Sequence, residues 1–288
     1  MTTQGSLSRK KKKFRFTQDT VFDIVVAAAL LLIIVIMAYP IYFVFVASFS
    51  DPAYVNNGSM LLWPKGFTLL GYQKVFEDAR IWIGYGNTLI YTAGGTALGT
   101  LVTMMAGYAL SRKDLPFRNT LMGYFVFTMY FGGGLIPFYM VIKKLQLTNT
   151  RTLMVIISAV AVYNIIITRS FMESNIPEEL RDAARVDGCG NGRFFFRIVM
   201  PLSKPTIITT IILASLDRWG DVLWPTMVTR GARVRPLAVG INQLYSNTSR
   251  HWGDIFAACV ILVVPVLILY IFFQKQFVES MATSGIKG

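Results

Sequence analysis

The chain has 288 residues, of which 54% are hydrophobic and only 15% are charged, and its mean hydropathy is +0.52. Soluble domains carry about 25% charged residues, so this composition excludes an ordinary water-soluble protein. Lys and Arg outnumber Asp and Glu by 28 to 15, but they flank apolar runs and therefore indicate membrane topology rather than a nucleic-acid partner. Two Cys and one His exclude a disulfide framework and a histidine-rich metal site.

Six apolar runs are long enough to cross a bilayer, which takes about 20 helical residues each. In chain order they cover residues 24–50, 81–111, 119–142, 152–168, 205–229 and 255–274. The fifth run is interrupted by three charged residues, Asp217, Arg218 and Asp221. Because the bilayer core offers no water to bare backbone groups, the runs predict an all-α polytopic membrane bundle with six transmembrane helices.

These runs predict the organisation of the whole chain. The predicted segments are a basic tail (1–18), a first transmembrane helix (19–50), an external loop (51–80), a five-helix core (81–274) and a C-terminal tail (275–288). The core contains a cytoplasmic loop at 172–204 and an external loop at 230–254. Most Lys and Arg fall on the side of the termini, so the positive-inside rule places both termini in the cytoplasm. The first apolar run is too long for a signal peptide, which predicts a retained anchor.

The cytoplasmic loop is predicted to fold as two short helices. Pro177 with Glu178 and Glu179 is typical of a helix start, and Gly188 is a predicted C-terminal cap. A second helix is expected over about 191–199. One face of the first helix carries Leu180, Ala183, Ala184 and Asp187.

The spacing of residues in this loop resembles the EAA loop of permease subunits in bacterial ATP-binding-cassette (ABC) importers. That loop has Glu-Ala-Ala, two residues, Asp-Gly, a spaced hydrophobic position and Leu-Pro. Asp182 stands in place of the Glu, and Met200 stands in place of the Leu. The other matching residues are Ala183, Ala184, Asp187, Gly188, Phe195, Ile198 and Pro201.

Two further segments carry the resemblance beyond the loop. The chain ends in Gly-Ile-Lys-Gly (285–288), which is similar to the Gly-x-Lys-Gly end of maltose-type permeases. Residues 130–137 and 164–169 are similar to the branch that imports polysaccharide fragments such as rhamnogalacturonan or aldouronate oligosaccharides.

The resemblance implies a type I ABC importer permease fold in a bacterial plasma membrane. It implies four kinds of partner: a second homologous permease, two ATPase subunits, an external solute-binding protein and an oligosaccharide substrate. The chain has no Gly-x-x-x-x-Gly-Lys-[Ser/Thr] phosphate loop, so ATP and Mg²⁺ are expected on the ATPases, and the chain is expected to be no enzyme and to bind no cofactor or metal. The residues expected to couple to the ATPase are Glu179, Asp182, Ala183, Ala184, Asp187, Gly188, Phe195 and Pro201.

Polar and aromatic residues inside the predicted spans are candidates for the substrate path. Charges in a span are costly and face a partner or a watered cavity, while carboxylate, guanidinium and indole groups can bind sugars or uronates. The candidates are Asp217, Arg218, Trp219, Asp221, Trp224, Tyr163 and Asn164. The alternative is an internal ion pair near the outer interface with Trp in the aromatic belt.

Two other functional classes stay open from the residues alone. A stand-alone secondary transporter or channel would use an ion gradient, and such proteins often contain internal repeats, which are not evident here. A membrane enzyme would need a nucleophile–base or metal constellation, and none emerges. Small residues at Gly95, Gly99, Thr103 and Gly107 predict close packing of the second helix against a neighbour.

Overall fold

The computed structural model describes residues 18–246 and 252–285, and every regular element in these ranges is a helix. The predicted all-α bundle is therefore confirmed for this part of the chain. The basic residues 9–15 and the last three residues of the Gly-x-Lys-Gly motif lie outside it. In chain order the helices are α1 (Gln18–Ser48), α2 (Pro52–Asn56), α3 (Leu70–Glu77), α4 (Ala79–Ser111), α5 (Arg118–Tyr130), α6 (Leu135–Lys144), α7 (Arg151–Ile156), α8 (Val162–Asn175), α9 (Glu178–Val186), α10 (Asn191–Phe194), a π-helical turn (Phe195–Val199), α11 (Met200–Leu202), α12 (Lys204–Trp219), α13 (Leu223–Val228), α14 (Leu237–Ser246) and α15 (Trp252–Gly285).

Three of the described helices are long and apolar enough to cross a membrane alone. They are Val21–Ser48 within α1, the whole of α4, and Trp252–Phe272 within α15. Two further candidates are bent pairs: α5 with α6 at 109°, and Asn191–Leu202 with α12 at 81°. By length and composition the described residues thus contain three spans, or five if each bent pair is one span, rather than six continuous helices.

The predicted third helix, 119–142, is broken at a run of three glycines. Gly134 has φ +85° and ψ 168°, a backbone conformation that residues with a side chain rarely adopt. The break separates α5 from α6 and leaves residues 131–134 exposed. Non-helical backbone at membrane depth is tolerated where protein covers it or where it lines a watered cavity.

The predicted fourth and fifth helices are also interrupted. Residues 157–161 separate α7 from α8, so the predicted helix 152–168 is two helices, and α8 continues to Asn175. The Ser158 carbonyl in this break accepts a hydrogen bond from Arg218 Nη2 at 2.6 Å, which supplies a partner that a helix would otherwise provide. Within the fifth run, 205–229, helix α12 ends at Trp219, and α13 begins after residues 220–222.

Helix α4 lies at the centre of the bundle, where it contacts α7, α8, α12 and α14. Its small residues permit this, because a Cβ at Gly107 would lie 2.6 Å from Cγ2 of the buried Thr168 on α8. The predicted close packing of this stripe is confirmed at Gly107. At Gly95 and Gly99 the neighbour is instead the guanidinium of Arg218 on α12.

Other helices are covered less by the chain itself. The apolar window of α1 has no buried residues, although the helix packs against α15. No residue of α5 is buried. The segments predicted as external loops contain short helices, namely α2 and α3 within 51–80 and α14 within 230–254, and α15 extends into the predicted C-terminal tail.

Candidate functional site

Helix α9 begins and ends as its sequence predicts. Pro177 is the N-cap residue, with φ −63° and ψ 149°, and two glutamates occupy the first turn. At the other end Gly188 has φ +73°. Its N–H donates to the Arg185 carbonyl at 3.0 Å, and the Cys189 N–H donates to the Ala184 carbonyl at 2.8 Å. This pattern is a Schellman cap, which requires a left-handed residue at the position of Gly188.

The packed face of α9 is smaller than predicted. Ala184 is the one buried residue of the helix, and it joins a cluster formed by Met104, Met172, Phe194, Phe195 and Val199. The other residues of the predicted face, Leu180, Ala183 and Asp187, are exposed. Val186 is 88% exposed. A single small side chain thus allows α9 to lie close to the bundle while most of its surface stays free.

The remaining candidate coupling residues fall into two groups. Phe195 is buried and its ring lies 5.3 Å from that of Tyr108, so it anchors the segment after α9 to α4. The other group, which is exposed, consists of Glu179, Asp182, Ala183, Asp187, Gly188 and Pro201. Because these residues are exposed, they form a surface that another molecule could contact.

Ion pairs connect α9 to the α4–α5 loop (112–117). The Asp114 carboxylate accepts hydrogen bonds from Arg112 at 2.9 and 2.6 Å, and from Arg181 of α9 at 3.0 and 3.1 Å. The hydrogen bonds from Arg112 are the largest cause that holds the pKa of Asp114 far below its usual range. Burial opposes them, and the hydrogen bonds from Arg181 lower the pKa further. Lys113 pairs with Glu178 at 3.3 Å.

A second group of charges lies beside the first. Glu173 near the end of α8 pairs with Arg169 at 3.0 Å and also with Arg118, the first residue of α5. Arg118 also donates to the Leu110 carbonyl at 2.8 Å, near the end of α4. The same end of the bundle contains a cavity of about 450 Å³, lined by residues that include Arg112, Glu173, Glu179 and Arg181. Sequence analysis missed these pairs, since it used Arg112, Arg118 and Arg181 for topology alone.

Arg218 points into the protein rather than into an open path. Its Nη2 donates to the Ser158 carbonyl at 2.6 Å and its Nη1 to the Ala214 carbonyl at 3.2 Å. The guanidinium lies against Gly95 and Gly99, where an added Cβ would be 2.7 Å from Cδ and 3.0 Å from Nη2, respectively. In this conformation Arg218 fixes the break between α7 and α8.

Both tryptophans among the candidates make structural contacts. Trp219 is buried, and its Nε1 donates to the Leu262 carbonyl at 2.9 Å, which joins α12 to α15. Trp224 packs edge-on against Phe138 at 4.7 Å and belongs to a cluster with residues of α6 and α7.

The other candidates are not brought together either. Asp217 is exposed on α12, whereas Asp221 lies in the break after it and accepts a hydrogen bond from the Trp224 N–H at 3.3 Å. On α8, Tyr163 is 62% exposed and the neighbouring Asn164 is buried. A cavity of about 580 Å³ between α4, α12 and α15 is lined by none of the seven candidates.

The loop after α13 is fixed to α4 by hydrogen bonds that sequence analysis also missed. Asn87 Nδ2 donates to the carbonyls of Arg233 and Arg235 at 2.9 and 3.0 Å, and the Tyr91 hydroxyl donates to the Val234 carbonyl at 2.9 Å. The basic side chains of this loop are therefore carried by backbone in a defined position.

Comparison with known proteins identifies the class. Residues 5–283 match the family described as "Binding-protein-dependent transport system inner membrane component". The chain belongs to this family and is a permease component of an ABC importer. The match covers all the helices on which the candidate residues lie.

Individual relatives of this chain are permeases of carbohydrate transport systems. The chain is 30% identical over 286 residues to the polygalacturonan/rhamnogalacturonan transport system permease protein YtcP of Bacillus subtilis (strain 168), covering 94% of this chain and 100% of the relative. It is 31% identical to the arabinooligosaccharides transport system permease protein AraQ of Halalkalibacterium halodurans, covering 88% and 92%.

A solved structure has the same fold. The chain superposes with a TM-score of 0.83 and 29% identity on a chain from the crystal structure of a bacterial ABC transporter involved in the import of the acidic polysaccharide alginate, covering 91% of this chain and 99% of the other. The predicted importer permease fold is thereby confirmed.

Proposed function

We propose that this chain is one of two permease subunits of an ATP-driven importer that moves an oligosaccharide from an external binding protein into the cytoplasm. The observation that carries the proposal is α9, which is capped at both ends and buries only one side chain, that of Ala184, against the bundle. A helix that leaves acidic residues and Val186 exposed has a surface to offer a partner. The chain has no phosphate loop, so the work of ATP hydrolysis must reach it from another subunit.

The proposed assembly contains a second, homologous permease, two ATPase subunits and an external solute-binding protein. The α9 end of the bundle faces the cytoplasm, where basic residues are concentrated and where the ATPases bind. The exposed apolar faces of α1 and α5 contact lipid or the second permease. ATP-driven closure of the ATPases moves α9, and the bundle changes between inward- and outward-facing states.

The substrate class rests on the relatives. The named relatives include permeases for polygalacturonan or rhamnogalacturonan and for arabinooligosaccharides, and the solved structure serves the import of an acidic polysaccharide. An oligosaccharide derived from a polysaccharide is therefore the proposed cargo. Asp217 and Tyr163, the two exposed candidates, are the side chains of the original seven that remain accessible for sugar contact.

The proposal is tested by reconstituting the assembly in lipid vesicles. We expect ATPase activity to rise when a loaded binding protein is added, with neutral and uronate oligosaccharides compared as cargo. Uptake driven by an ion gradient without any ATPase subunit would replace the proposal with a secondary transporter.

The variant Gly188→Pro tests the role of α9 within that assay. Proline fixes φ near −65°, whereas Gly188 has φ +73°, so the cap cannot form. We expect stimulated ATPase activity and uptake to be lost while membrane insertion is retained. Gly192→Ala is the matched control, because an added Cβ there meets nothing within 4 Å. Normal uptake by Gly188→Pro would exclude α9 as the ATPase contact.

A further inference from the structure

Asp114 connects two parts of the chain that are 67 residues apart in sequence. Its two carboxylate oxygens accept parallel hydrogen bonds from Arg181 Nη1 and Nη2, at 3.0 and 3.1 Å. Arg112 donates two further hydrogen bonds to the same carboxylate, one to each oxygen. Bidentate guanidinium–carboxylate pairs have a fixed planar geometry, so they set an orientation as well as a distance.

The pair joins α9 to the central helix of the bundle. Along the chain, α9 is linked to α8 only through Ile176 and Pro177. Asp114 follows the end of α4 at Ser111 by three residues, and α4 contacts α7, α8, α12 and α14. The contact between Asp114 and Arg181 therefore connects α9 to the end of α4.

Apolar packing cannot fix the orientation of α9 by itself. Its one buried side chain is that of Ala184, which has no length with which to resist rotation of the helix. The two carboxylates are similarly exposed, at 44% for Asp114 and 48% for Glu178, but their cationic partners differ. The Arg181 side chain is 13% exposed, whereas that of Lys113 is 75% exposed. Exposed pairs contribute little, so Lys113 is a poor candidate for the same task.

We propose that Asp114 is a positioning residue, which orients α9 through Arg181 and transmits the motion of α9 to α4 during transport. The inference rests on the proposed function for its role in transport. The contact between Asp114 and α9 can be tested without that function.

The first measurement is hydrogen exchange of the α9 backbone amides in the full chain, purified without other subunits, in lipid nanodiscs. Asp114→Asn removes the charge and retains the size of the side chain. We expect exchange over residues 178–186 to become about tenfold faster, which corresponds to about 1.4 kcal/mol. The control Lys113→Gln, in the same loop, is expected to change exchange by less than about twofold. Equal effects of the two variants would overturn the inference.

The second measurement is the number of substrate molecules imported per ATP hydrolysed. We expect Asp114→Asn to lower this ratio severalfold while ATP is still hydrolysed. Asp114→Glu keeps the charge, so its ratio is expected to stay close to that of the wild type. If Asp114→Asn does not assemble, Arg181→Lys gives the same comparison, because an ammonium cannot form the two parallel bonds. An unchanged ratio in a variant with faster exchange would refute the role in transmission.

The two proposals fail in different ways. If the wild-type assembly shows no ATPase-linked uptake, the proposed function is wrong, yet the exchange experiment still reports whether Asp114 holds α9. If uptake is ATP-linked and α9 exchange is unaffected by Asp114→Asn, the importer assignment stands and the positioning role is wrong.

Discussion

Replacing Gly95 by alanine tests the packing of a charged side chain inside the bundle. A Cβ at this position would lie 2.7 Å from Cδ and 3.2 Å from Cζ of Arg218, and closer still to Nε. Arg218 is flexible enough to move away, but its Nη2 then loses the Ser158 carbonyl, now at 2.6 Å. The break between α7 and α8 would lose the contact that fixes it.

The expected magnitude follows from comparison with Gly86→Ala on the same helix, where an added Cβ meets nothing within 4 Å. Both changes gain about 1 kcal/mol of helix propensity, which cancels in the difference. A hydrogen bond to a charged group contributes about 1.5–3 kcal/mol to the free energy of unfolding. Hydrogen bonds between membrane helices contribute modestly, so a value in the lower half of this range is expected. Gly95→Ala should therefore be less stable than Gly86→Ala by about 2 kcal/mol.

The assay is denaturant unfolding of the two variants in the same detergent, followed by near-ultraviolet circular dichroism. A double-mutant cycle with Arg218→Ala isolates the contact, because Gly95→Ala should cost nothing further once Cδ and the guanidinium of residue 218 are absent. Equal stability of Gly95→Ala and Gly86→Ala would show that Arg218 does not occupy the position described. A full additional cost in the Arg218→Ala background would refute the same reasoning.

Two other predictions concern Trp219 and Asp114. Trp219→Phe removes the hydrogen bond to the Leu262 carbonyl and should lower the free energy of unfolding by about 1 kcal/mol in the same assay; Trp63→Phe, at a 76% exposed site, should change it little. The contact of Asp114 with Arg112 and Arg181 should be independent of pH from 8 to 5. The pKa of Asp114 is lowered on folding, so its contribution is present above the unfolded value of about 3.9 and is lost as pH falls below that value toward the folded pKa. Faster α9 hydrogen exchange between pH 7 and 5, corrected for intrinsic rates, would contradict this.

The sequence by itself determined the class of fold and the local features of α9. Apolar runs with no water to satisfy the backbone admit only helices, so the all-α bundle followed from composition. The start of α9 at Pro177 and its end at Gly188 were predictable because caps depend on residues within one turn of each other. The spacing from Asp182 to Pro201 was specific enough to indicate the importer family, which the family match confirms.

The tertiary structure decided where long helices break and what the charged residues touch. The break at 157–161 depends on Arg218, which lies 60 residues away from Ser158 in sequence. No periodicity within 152–168 encodes that contact. Because the sequence does not reveal the partner of Arg218, the charge inside an apolar run made it a candidate for the substrate path. Asp114 and Arg181 likewise meet only because α4 and α8 pack side by side. Interactions within one helical turn can be predicted from the local sequence, because both partners lie within a few residues of each other. Partners that are distant in sequence come together only through the packing of the bundle.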